Sequence, residues 1–228
     1  MNNFPSNQNI MIHVVPDRLW YVEEYLIPSL KTQNINNITI WNDINKSGNL
    51  AACLSSYKDL PNDGYTWHLQ DDIIISDSFA EVINNDTNEI TCGFSTNYDK
   101  YGSGYVKPEE MWFSFPCIKI PNKLAKEFVE WCNIDTISSE RIKNYIRANK
   151  YDDTLFKIFV AEKYPDMKVL NLEPNIVNHI DWLLGGSITN PKRYKIAKKV
   201  MSRYWREEDK YLVDKIENEL ISRQNINP

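Results

Sequence analysis

Residues 65–75 have the sequence YTWHLQDDIII, in which an apolar and aromatic stretch leads directly into two adjacent carboxylates. The residue types before position 70 are typical of a buried strand, which we expect to end at Gln70, Asp71 and Asp72. Two neighbouring carboxylates at the end of a buried strand repel each other unless a cation lies beside them. We therefore predict a strand of a central sheet and, at its end, a site for Mg²⁺ or Mn²⁺. The alternative is that one aspartate caps the next turn and the other is solvated.

The chain before this stretch alternates predicted strands with predicted helices. A strand at 10–15 is followed by a helix for which Asp17 is the expected N-cap, and a strand at 38–41 by a helix that opens near residue 46. The order strand, helix, strand, helix, strand is typical of α/β proteins. We expect a mostly parallel central sheet flanked by helices, with a helical C-terminus.

Polar residues follow all three of these strands at the point where each strand ends. In open parallel sheets, ligands bind at the carboxyl ends of the strands. The polar groups that should converge there are Pro16-Asp17-Arg18, Asn42-Asp43 and Gln70-Asp71-Asp72. The order of elements therefore predicts a ligand site at this edge of the sheet.

The second half of the chain has a less regular pattern. An aromatic stretch at 111–120 predicts a strand, and Pro116 within it predicts an edge or bulged position, because proline cannot donate to a strand ladder. Helices are expected at 122–132 and 138–149, and two more close the chain. We expect 175–187 to be a connecting segment.

The composition excludes several classes of protein. The chain has 228 residues, only 7 glycines and a formal net charge of −5, which argues against a glycine-rich phosphate loop and against a general nucleic-acid coat. None of the four cysteines forms a C-x-x-C pair, so we expect buried thiols in a reducing compartment. The sequence shows neither a secretory signal nor an apolar run of membrane-spanning length, and we expect a cytoplasmic protein.

Two further groups of polar residues are candidates for chemistry. His179 lies in a polar patch and is a candidate metal ligand; the alternative is a half-buried histidine satisfied by hydrogen bonds. Asp152 and Asp153 stand at the start of a predicted helix, where one of them can serve as the N-cap. The other is a candidate general base for an attacking hydroxyl, and we favour Asp153 over Asp152.

The stretch 189–206 is strongly basic within an acidic protein. It contains seven lysines and arginines and no acidic residue, and aromatic residues stand between them. A solvated helix face is one explanation. The other is a phosphate-rich partner, either a leaving diphosphate or the backbone of duplex DNA bound through residues 192–206.

The order of these features resembles the glycosyltransferases of the GT-A type, over about residues 10–190. In that family a nucleotide-binding α/β half ends in a short acidic signature, which holds Mn²⁺ or Mg²⁺ against the diphosphate of a nucleotide-sugar. Residues 69–73, LQDDI, are similar to the L-E-D-D-[IV] form of this signature, with Gln70 at its first acidic position. The resemblance implies one Rossmann-like domain over residues 1–228. Its expected parts are a nucleotide-binding half at 10–95, an acceptor and catalytic half at 96–190, and C-terminal helices at 191–228.

The resemblance also implies roles for individual residues. Asp72 and His179 are implied as ligands of the metal ion, with Asp71 on the metal or on the ribose. Asp153 falls where many inverting members carry the catalytic base. The residues implied to hold the donor are Val14, Pro16, Asp17, Arg18, Asp43, Gln70, Asp71, Gly186 and Lys192.

The implied activity is the transfer of a hexose or pentose from a nucleotide-sugar to a hydroxyl acceptor. Trp112, Phe113 and Phe115 are candidates for the acceptor face, because aromatic rings stack on sugars and bases; the alternative is that they belong to the core. Small size and composition are similar to phage-encoded glycosyltransferases, some of which act on modified DNA bases. A hydroxymethylated base in phage DNA is therefore one expected acceptor, and a glycan or protein side chain is the other. The rival functions are a nucleotidyltransferase and an inactive homologue that binds sugar-nucleotides.

Overall fold

A computed structural model of the chain describes residues 8–94, 104–108, 115–134, 152–172 and 175–181, and also positions 184, 211, 214–216, 218, 219 and 222. Within these residues seven strands form one sheet. They are β1 (Asn9–Val14), β2 (Ile38–Asn42), β3 (Tyr65–Gln70), β5 (Ile90–Cys92), β6 (Gly104–Val106), β7 (Cys117–Pro121) and β8 (Val169–Asn171). The helix expected at 138–149 lies outside the described residues.

The central sheet has the strand order β2-β1-β3-β7-β5-β8-β6. β1 is parallel to β2 and to β3, and β5 is parallel to β8. β7 is antiparallel to both of its neighbours, and β6 is antiparallel to β8. Five of the seven strands thus run in one direction, which confirms the expected α/β fold with a mostly parallel sheet.

Helices cover both faces of this sheet. They are α1 (Leu19–Tyr21), α2 (Ile27–Thr32), α3 (Asn49–Lys58), α4 (Phe79–Asn85), α5 (Asn122–Ile134) and α6 (Asp152–Lys163). The first core contains side chains of the 19–32 segment and α4, and the second contains side chains of α3, α5 and α6. Among the described helices, none combines the length and the apolar character that crossing a membrane requires.

Alternation along β1 sends its side chains into both cores. Ile10, Ile12 and Val14 lie in the first core, and Met11 lies in the second. Because side chains alternate across a strand, His13 points to the second face, where it contacts Tyr57 of α3. Polar residues within β1 therefore face α3, whereas the residues that follow the strand lie at the edge of the sheet.

The helix expected after β1 is interrupted by a π-helical turn at Val22–Leu26, which joins α1 to α2. Pro28 lies in the first turn of α2 and has no backbone N–H to donate. Ile27 N donates to the carbonyl of Val22 five residues earlier, and this wider turn accommodates the proline. The expectation that Asp17 caps this helix is wrong: the short 3₁₀ turn Pro16–Arg18 begins after Val15 without a side-chain cap.

β7 lies inside the sheet, between β3 and β5, so the edge position expected from Pro116 is wrong. Pro116 precedes the first residue of the strand and therefore removes no donor from the ladder. Its carbonyl accepts a hydrogen bond from Gln70 N at 3.1 Å.

A second, two-stranded sheet stands beside the carboxyl end of β3. It pairs β4 (Ile73–Ile75) with β9 (Val177–His179) in antiparallel register, and Ile73 lies opposite His179. The expectation that residues 175–187 only connect other elements is therefore wrong for 177–179. Three residues are too few to show a strand period in the sequence.

Gly93 holds this second sheet against the first. Its N–H donates to the Cys117 carbonyl at 2.9 Å, and its carbonyl accepts from Ile176 N at 3.0 Å. A Cβ at this position would stand 2.6 Å from Cys117 Sγ and 2.8 Å from Ile176 Cγ1, so only glycine allows this approach. The approach places β9, and with it His179, beside the residues that follow β3.

Candidate functional site

Four side chains form what we call the charged cluster: Arg18, Asp71, Asp72 and His179. Arg18 is in the turn after β1, the two aspartates follow β3, and His179 ends β9. Both aspartates and the arginine are buried, with side-chain exposures of 6% for Asp71, 7% for Asp72 and 9% for Arg18. The central sheet therefore brings Arg18 and the two aspartates together at the carboxyl ends of the parallel strands β1 and β3, and the two-stranded sheet adds His179.

Asp71 ties the end of β3 to the end of β1. Its Oδ2 accepts from the backbone N–H of Val15 at 2.7 Å, and its Oδ1 accepts from Arg18 Nη1 at 2.9 Å. Both carboxylate oxygens thus have a donor within the protein. This role was not expected from the sequence, which pointed to the metal or the ribose as the partner of Asp71.

Arg18 bridges the two aspartates through a single nitrogen. Nη1, which donates to Asp71 Oδ1, also makes a short hydrogen bond with Asp72 Oδ2. A shared guanidinium offsets the repulsion that two adjacent buried carboxylates would otherwise suffer. The sequence predicts a cation beside Asp71 and Asp72, and the guanidinium of Arg18 supplies part of that positive charge.

The second oxygen of Asp72 faces His179. Asp72 Oδ1 and His179 Nε2 lie 3.1 Å apart, so a protonated imidazole can donate to the carboxylate, and in the described part of the chain neither atom has another hydrogen-bond partner. The carbonyl of Asp72 accepts from Ile180 N at 2.7 Å, which fixes the aspartate relative to the histidine. When the imidazole is neutral with its proton on Nδ1, Nε2 and Oδ1 are two unpaired buried acceptors side by side, and a metal ion between them would satisfy both.

The spacing of these two atoms fits adjacent ligands of one octahedral ion. Bonds of about 2.1 Å at right angles place neighbouring ligand atoms about 3 Å apart. Among the described residues no group of three or more His, Cys, Asp or Glu side chains could hold a metal. A divalent cation of this kind is commonly bound by one or two protein carboxylates together with water and substrate phosphates, so Asp72 would be its charged ligand and the imidazole of His179 would be a second, neutral one.

The charges of the cluster follow from burial and from its partners. Burial works to raise the pKa of Asp72, but His179 and Arg18 outweigh it and hold this pKa below its ordinary value. Burial and the neighbouring Asp72 raise the pKa of Asp71 to about 6, against the effect of Arg18. Burial works to lower the pKa of His179, but the Asp72 carboxylate outweighs burial and the pKa is raised. At neutral pH, Asp72 is therefore ionised and faces the imidazole of His179, which binds a proton more readily than an ordinary histidine does.

The residues expected to hold the donor lie along the same edge. Val14 ends β1, and its carbonyl accepts from Asp43 N at 2.8 Å. Asp43 is buried and accepts from Ser47 Oγ at 2.8 Å. Pro16 opens the turn that carries Arg18, and Gln70 ends β3. The structure therefore brings these predicted residues together, and their contacts with a donor stay a prediction.

A salt bridge that the sequence did not reveal joins the loop after β2 to the turn after β1. Lys46 Nζ lies 2.7 Å from Asp17 Oδ2, and both side chains are exposed. Lys46 has a positive φ of 50° and is followed by Gly48 with φ of 91°, so the loop after β2 turns back toward the end of β1. The polar run after β2 was visible in the sequence, but a partner 29 residues away was not.

The two candidate bases lie on the other face of the sheet, in the first turn of α6. Asp153 Oδ1 accepts from Thr154 N at 2.6 Å, so this carboxylate binds its own helix. Asp152 is buried beside Cys53, and burial followed by the charge of Asp153 raises its pKa to about 7. A carboxyl that titrates near neutrality is suited to proton transfer, so Asp152 is kept as a candidate base beside Asp153, and which of the two acts as the base stays a prediction.

The acceptor residues are less well defined. Phe115 is buried, and its ring lies 5.6 Å from that of Phe156, so it is part of the second core and not of an exposed face. The other predicted positions lie outside the described residues: Trp112, Phe113, Gly186, Lys192 and the basic stretch 192–206.

Comparison with known proteins gives similarity only among solved structures; no family model and no curated protein matches the chain. The galactosyltransferase LgtC, solved with donor and acceptor sugar analogs, has 13% identity and a TM-score of 0.45, over 88% of this chain and 98% of that chain. The inositol-1-phosphate CTP transferase from T. maritima has 11% identity and a TM-score of 0.46, over 86% and 96%. A glycosyltransferase involved in glycosylation of the major capsid of PBCV-1 has 9% identity and a TM-score of 0.43, over 84% and 99%. These neighbours include sugar transferases and a CTP transferase.

Proposed function

We propose that this chain is a metal-dependent glycosyltransferase, which moves a sugar from a nucleotide-sugar to a hydroxyl acceptor. The observation that carries the proposal is the pair of buried atoms, Asp72 Oδ1 and His179 Nε2, which lie 3.1 Å apart and have no hydrogen-bond partner other than each other in the described residues. Asp72 stands at the carboxyl end of the parallel strand β3, where α/β proteins bind their ligands, and β9 brings His179 beside it. Asp72 and His179 would hold Mn²⁺ or Mg²⁺, with the donor diphosphate completing the coordination.

The donor would lie along the edge formed by the ends of β1, β2 and β3. The buried carboxylate of Asp43 and the backbone around Val14 and Pro16 offer polar contacts to a nucleoside. Gly186 and Lys192 are proposed from the sequence alone to contact the diphosphate. A bound divalent cation neutralises the charge that develops on the leaving diphosphate.

A carboxylate from α6 would take the proton of the acceptor hydroxyl, and we assign this role to Asp152, with Asp153 as the alternative. The hydroxyl oxygen then forms a bond to the anomeric carbon of the sugar, and the bond from that carbon to the diphosphate breaks. This base is required if the reaction inverts the anomeric configuration. A retaining reaction needs no such base, and the carboxylate would then position the acceptor.

The finer proposal concerns the acceptor. The basic stretch 192–206 of the sequence fits phosphate contacts, and a hydroxymethylated base flipped out of phage DNA is the acceptor that would use them. Such an enzyme would be phage-encoded and act in the host cytoplasm. Acceptor binding should then weaken at least about tenfold between roughly 50 and 200 mM salt, on the order expected for several phosphate contacts. Binding of a glycan or protein acceptor without this salt dependence would contradict it.

The direct test is thermal unfolding of the purified chain with Mn²⁺ and a panel of nucleotide-sugars carrying hexoses or pentoses. A ligand at about 100 times its dissociation constant stabilises the folded state by about 2.7 kcal/mol, so the correct donor should raise Tm by several degrees. Release of free sugar from that donor, dependent on Mn²⁺, would support transfer. Diphosphate release from a nucleoside triphosphate and a sugar phosphate, with no hydrolysis of any nucleotide-sugar, would instead support a nucleotidyltransferase.

A further inference from the structure

Arg18 uses oxygen atoms that a metal ion would otherwise bind. Its Nη1 donates to Asp71 Oδ1 and to Asp72 Oδ2, and the backbone of Val15 occupies Asp71 Oδ2. Of the four carboxylate oxygens in the pair, only Asp72 Oδ1 has neither Arg18 nor a backbone N–H as a donor in the described part of the chain, and it faces His179 Nε2 at 3.1 Å. The two adjacent aspartates therefore offer one free oxygen instead of four.

The arginine is held firmly in this position. Its side chain is only 9% exposed, and it belongs to the short turn Pro16–Arg18. Tyr21, one helical turn further along, donates from its hydroxyl to the Ile73 carbonyl at 2.7 Å. This bond ties the start of the helix to the strand that follows Asp72, so the guanidinium and the carboxylates are fixed relative to each other.

We propose that Arg18 is a positioning residue that keeps the affinity of this site for a free divalent cation low, so that the cation is bound together with the diphosphate of the donor. The proposal rests on the proposed function, since it assumes a diphosphate ligand. Without a donor, the cation meets two protein ligands and a neighbouring positive charge. With the donor, phosphate oxygens supply the missing ligands and additional negative charge.

This arrangement has a physical advantage for the apo protein. Two buried carboxylates without a cation would be unstable as a charged pair, and one would take up a proton. The guanidinium keeps them in place when no metal is bound. The side chains of the site therefore keep their arrangement in the absence of ligands, and the metal ion binds tightly only when the diphosphate is present.

The test is direct measurement of Mn²⁺ binding to the whole chain, from the electron paramagnetic resonance signal of the free ion, without any nucleotide. Arg18→Met removes the guanidinium and keeps much of the side-chain volume. We expect Mn²⁺ to bind this variant at least about tenfold more tightly than the wild type, because a nearby positive charge is gone. Lys58→Met, at the exposed end of α3, is the matched control for the loss of one positive charge and should leave the affinity unchanged.

A second measurement adds a nucleoside diphosphate to both proteins. The wild type should gain at least about tenfold in Mn²⁺ affinity, and Arg18→Met should gain much less because its site already has the free carboxylate oxygens. Equal or weaker Mn²⁺ binding by Arg18→Met without nucleotide would overturn the proposal. So would a wild type that binds the free ion as tightly as the variant does.

Arg18→Met leaves two buried carboxylates without a partner, and the variant can fail to fold for that reason. The double variant Arg18→Met/Asp71→Asn then replaces it, since the amide oxygen introduced at position 71 can still accept from Val15 N and only Asp72 regains an oxygen. Here we expect about threefold tighter binding than in Asp71→Asn alone, and no difference would overturn the proposal. If Arg18 controls Mn²⁺ affinity but no nucleotide-sugar stabilises the chain, the proposed transfer reaction fails and the metal proposal stands.

Discussion

Two buried clusters of titratable side chains share strands β1 and β3, and burial has opposite consequences in them. The charged cluster lies at the ends of the strands and keeps Asp72 ionised beside Arg18. The second, which we call the neutral cluster, consists of His13, His68, Tyr57 and Cys53 on the face covered by α3. In it, His13 Nε2 and His68 Nδ1 lie 3.0 Å apart.

Burial removes every charge from the neutral cluster. It lowers the pKa of His13 to about 4 and that of His68 well below its ordinary value, where the neighbouring His13 contributes as well. It raises the pKa values of Tyr57 and Cys53 well above theirs. None of these groups has an opposite charge to offset desolvation, so each takes its neutral form at neutral pH.

The difference between the clusters lies in the arginine. Arg18 stays charged inside the protein, and Asp72 favours the charged form of His179, as its raised pKa shows. Burying these charges costs free energy of desolvation that apolar side chains would not cost. Strongly perturbed pKa values beside a specific charge partner cluster at functional sites. The neutral cluster has hydrogen bonds between His13 and His68 and between Tyr57 and Cys53, together with several ring contacts, and these suffice to explain it as packing.

The largest expected effect comes from Asp72→Asn, which removes the charge that distinguishes the first cluster. We expect turnover in the proposed transfer reaction with Mn²⁺ to fall at least about 100-fold, corresponding to about 3 kcal/mol, because the metal would lose its proposed carboxylate ligand. Asp77→Asn, a nearby exposed aspartate, is the matched control and should be within about twofold of the wild type. Turnover of Asp72→Asn close to that of the wild type, with unchanged Mn²⁺ affinity, would contradict the assignment.

Asp152→Asn tests a buried carboxyl that is neither always charged, as Asp72 is, nor always neutral, as the members of the neutral cluster are. Its pKa of about 7 makes Asp152 neutral in mild acid and charged above neutrality, beside Cys53 of the neutral cluster. If Asp152 is the base, turnover of the wild type falls as the pH drops through about 7, and Asp152→Asn loses at least about 100-fold at roughly pH 8. Asp153→Asn should lose less than about tenfold. The reverse order would return the role to Asp153.

The same variant should be more stable than the wild type. The pKa of Asp152 is higher in the folded chain than in the unfolded one, so its ionisation favours unfolding as the pH rises from about 4 through about 7. Asp152→Asn removes this cost and should raise Tm at roughly pH 8 by roughly 3–8 °C, or about 1–3 kcal/mol. The gain should disappear at about pH 4. An equal change of Tm at both pH values would show that ionisation of Asp152 has no part in it.

The sequence predicts which residues form the charged cluster, but it does not predict the hydrogen bonds and ion pairs between them. The pair Asp71-Asp72 at the end of a strand, Arg18 after the first strand and the polar setting of His179 are all visible along the chain. The bridge from one guanidinium nitrogen to both aspartates joins residues 53 and 54 positions apart, and it depends on how β1 and β3 are paired. The pattern of a single strand does not show which other strand it pairs with, so these contacts could not be read from the sequence.

The predictions that failed concerned strands that are short or whose position depends on pairing with strands distant in the sequence. β9 has three residues, and its pairing with β4 is fixed by Gly93, whose role is apparent only from the atoms around it. The interior place of β7 follows from long-range pairing, although Pro116 suggested an edge. The long parallel strands β1 and β3 were predicted well because their apolar runs are strong and uninterrupted.

The smallest effect, and the sharpest test of the difference between the clusters, compares one histidine from each. His68 has a lowered pKa, so the unfolded chain binds its proton more readily and the wild type loses stability as the pH falls below about 6.5. His179 has a raised pKa, so its contribution to stability is present below about 6.5 and is lost as the pH rises. Urea unfolding of the wild type, His68→Phe and His179→Gln at about pH 8 and about pH 5 measures both.

His68→Phe should therefore lose about 1 kcal/mol less stability than the wild type between these two pH values, since phenylalanine fills the ring volume and does not titrate. His179→Gln should lose about 1 kcal/mol more, because the favourable imidazolium beside Asp72 no longer forms. The opposite signs matter more than the magnitudes, since they separate burial without a counter-charge from burial beside one. If both variants changed the acid sensitivity in the same direction, the two clusters would differ in composition but not in their electrostatics, and the functional assignment of the charged cluster would lose its main physical support.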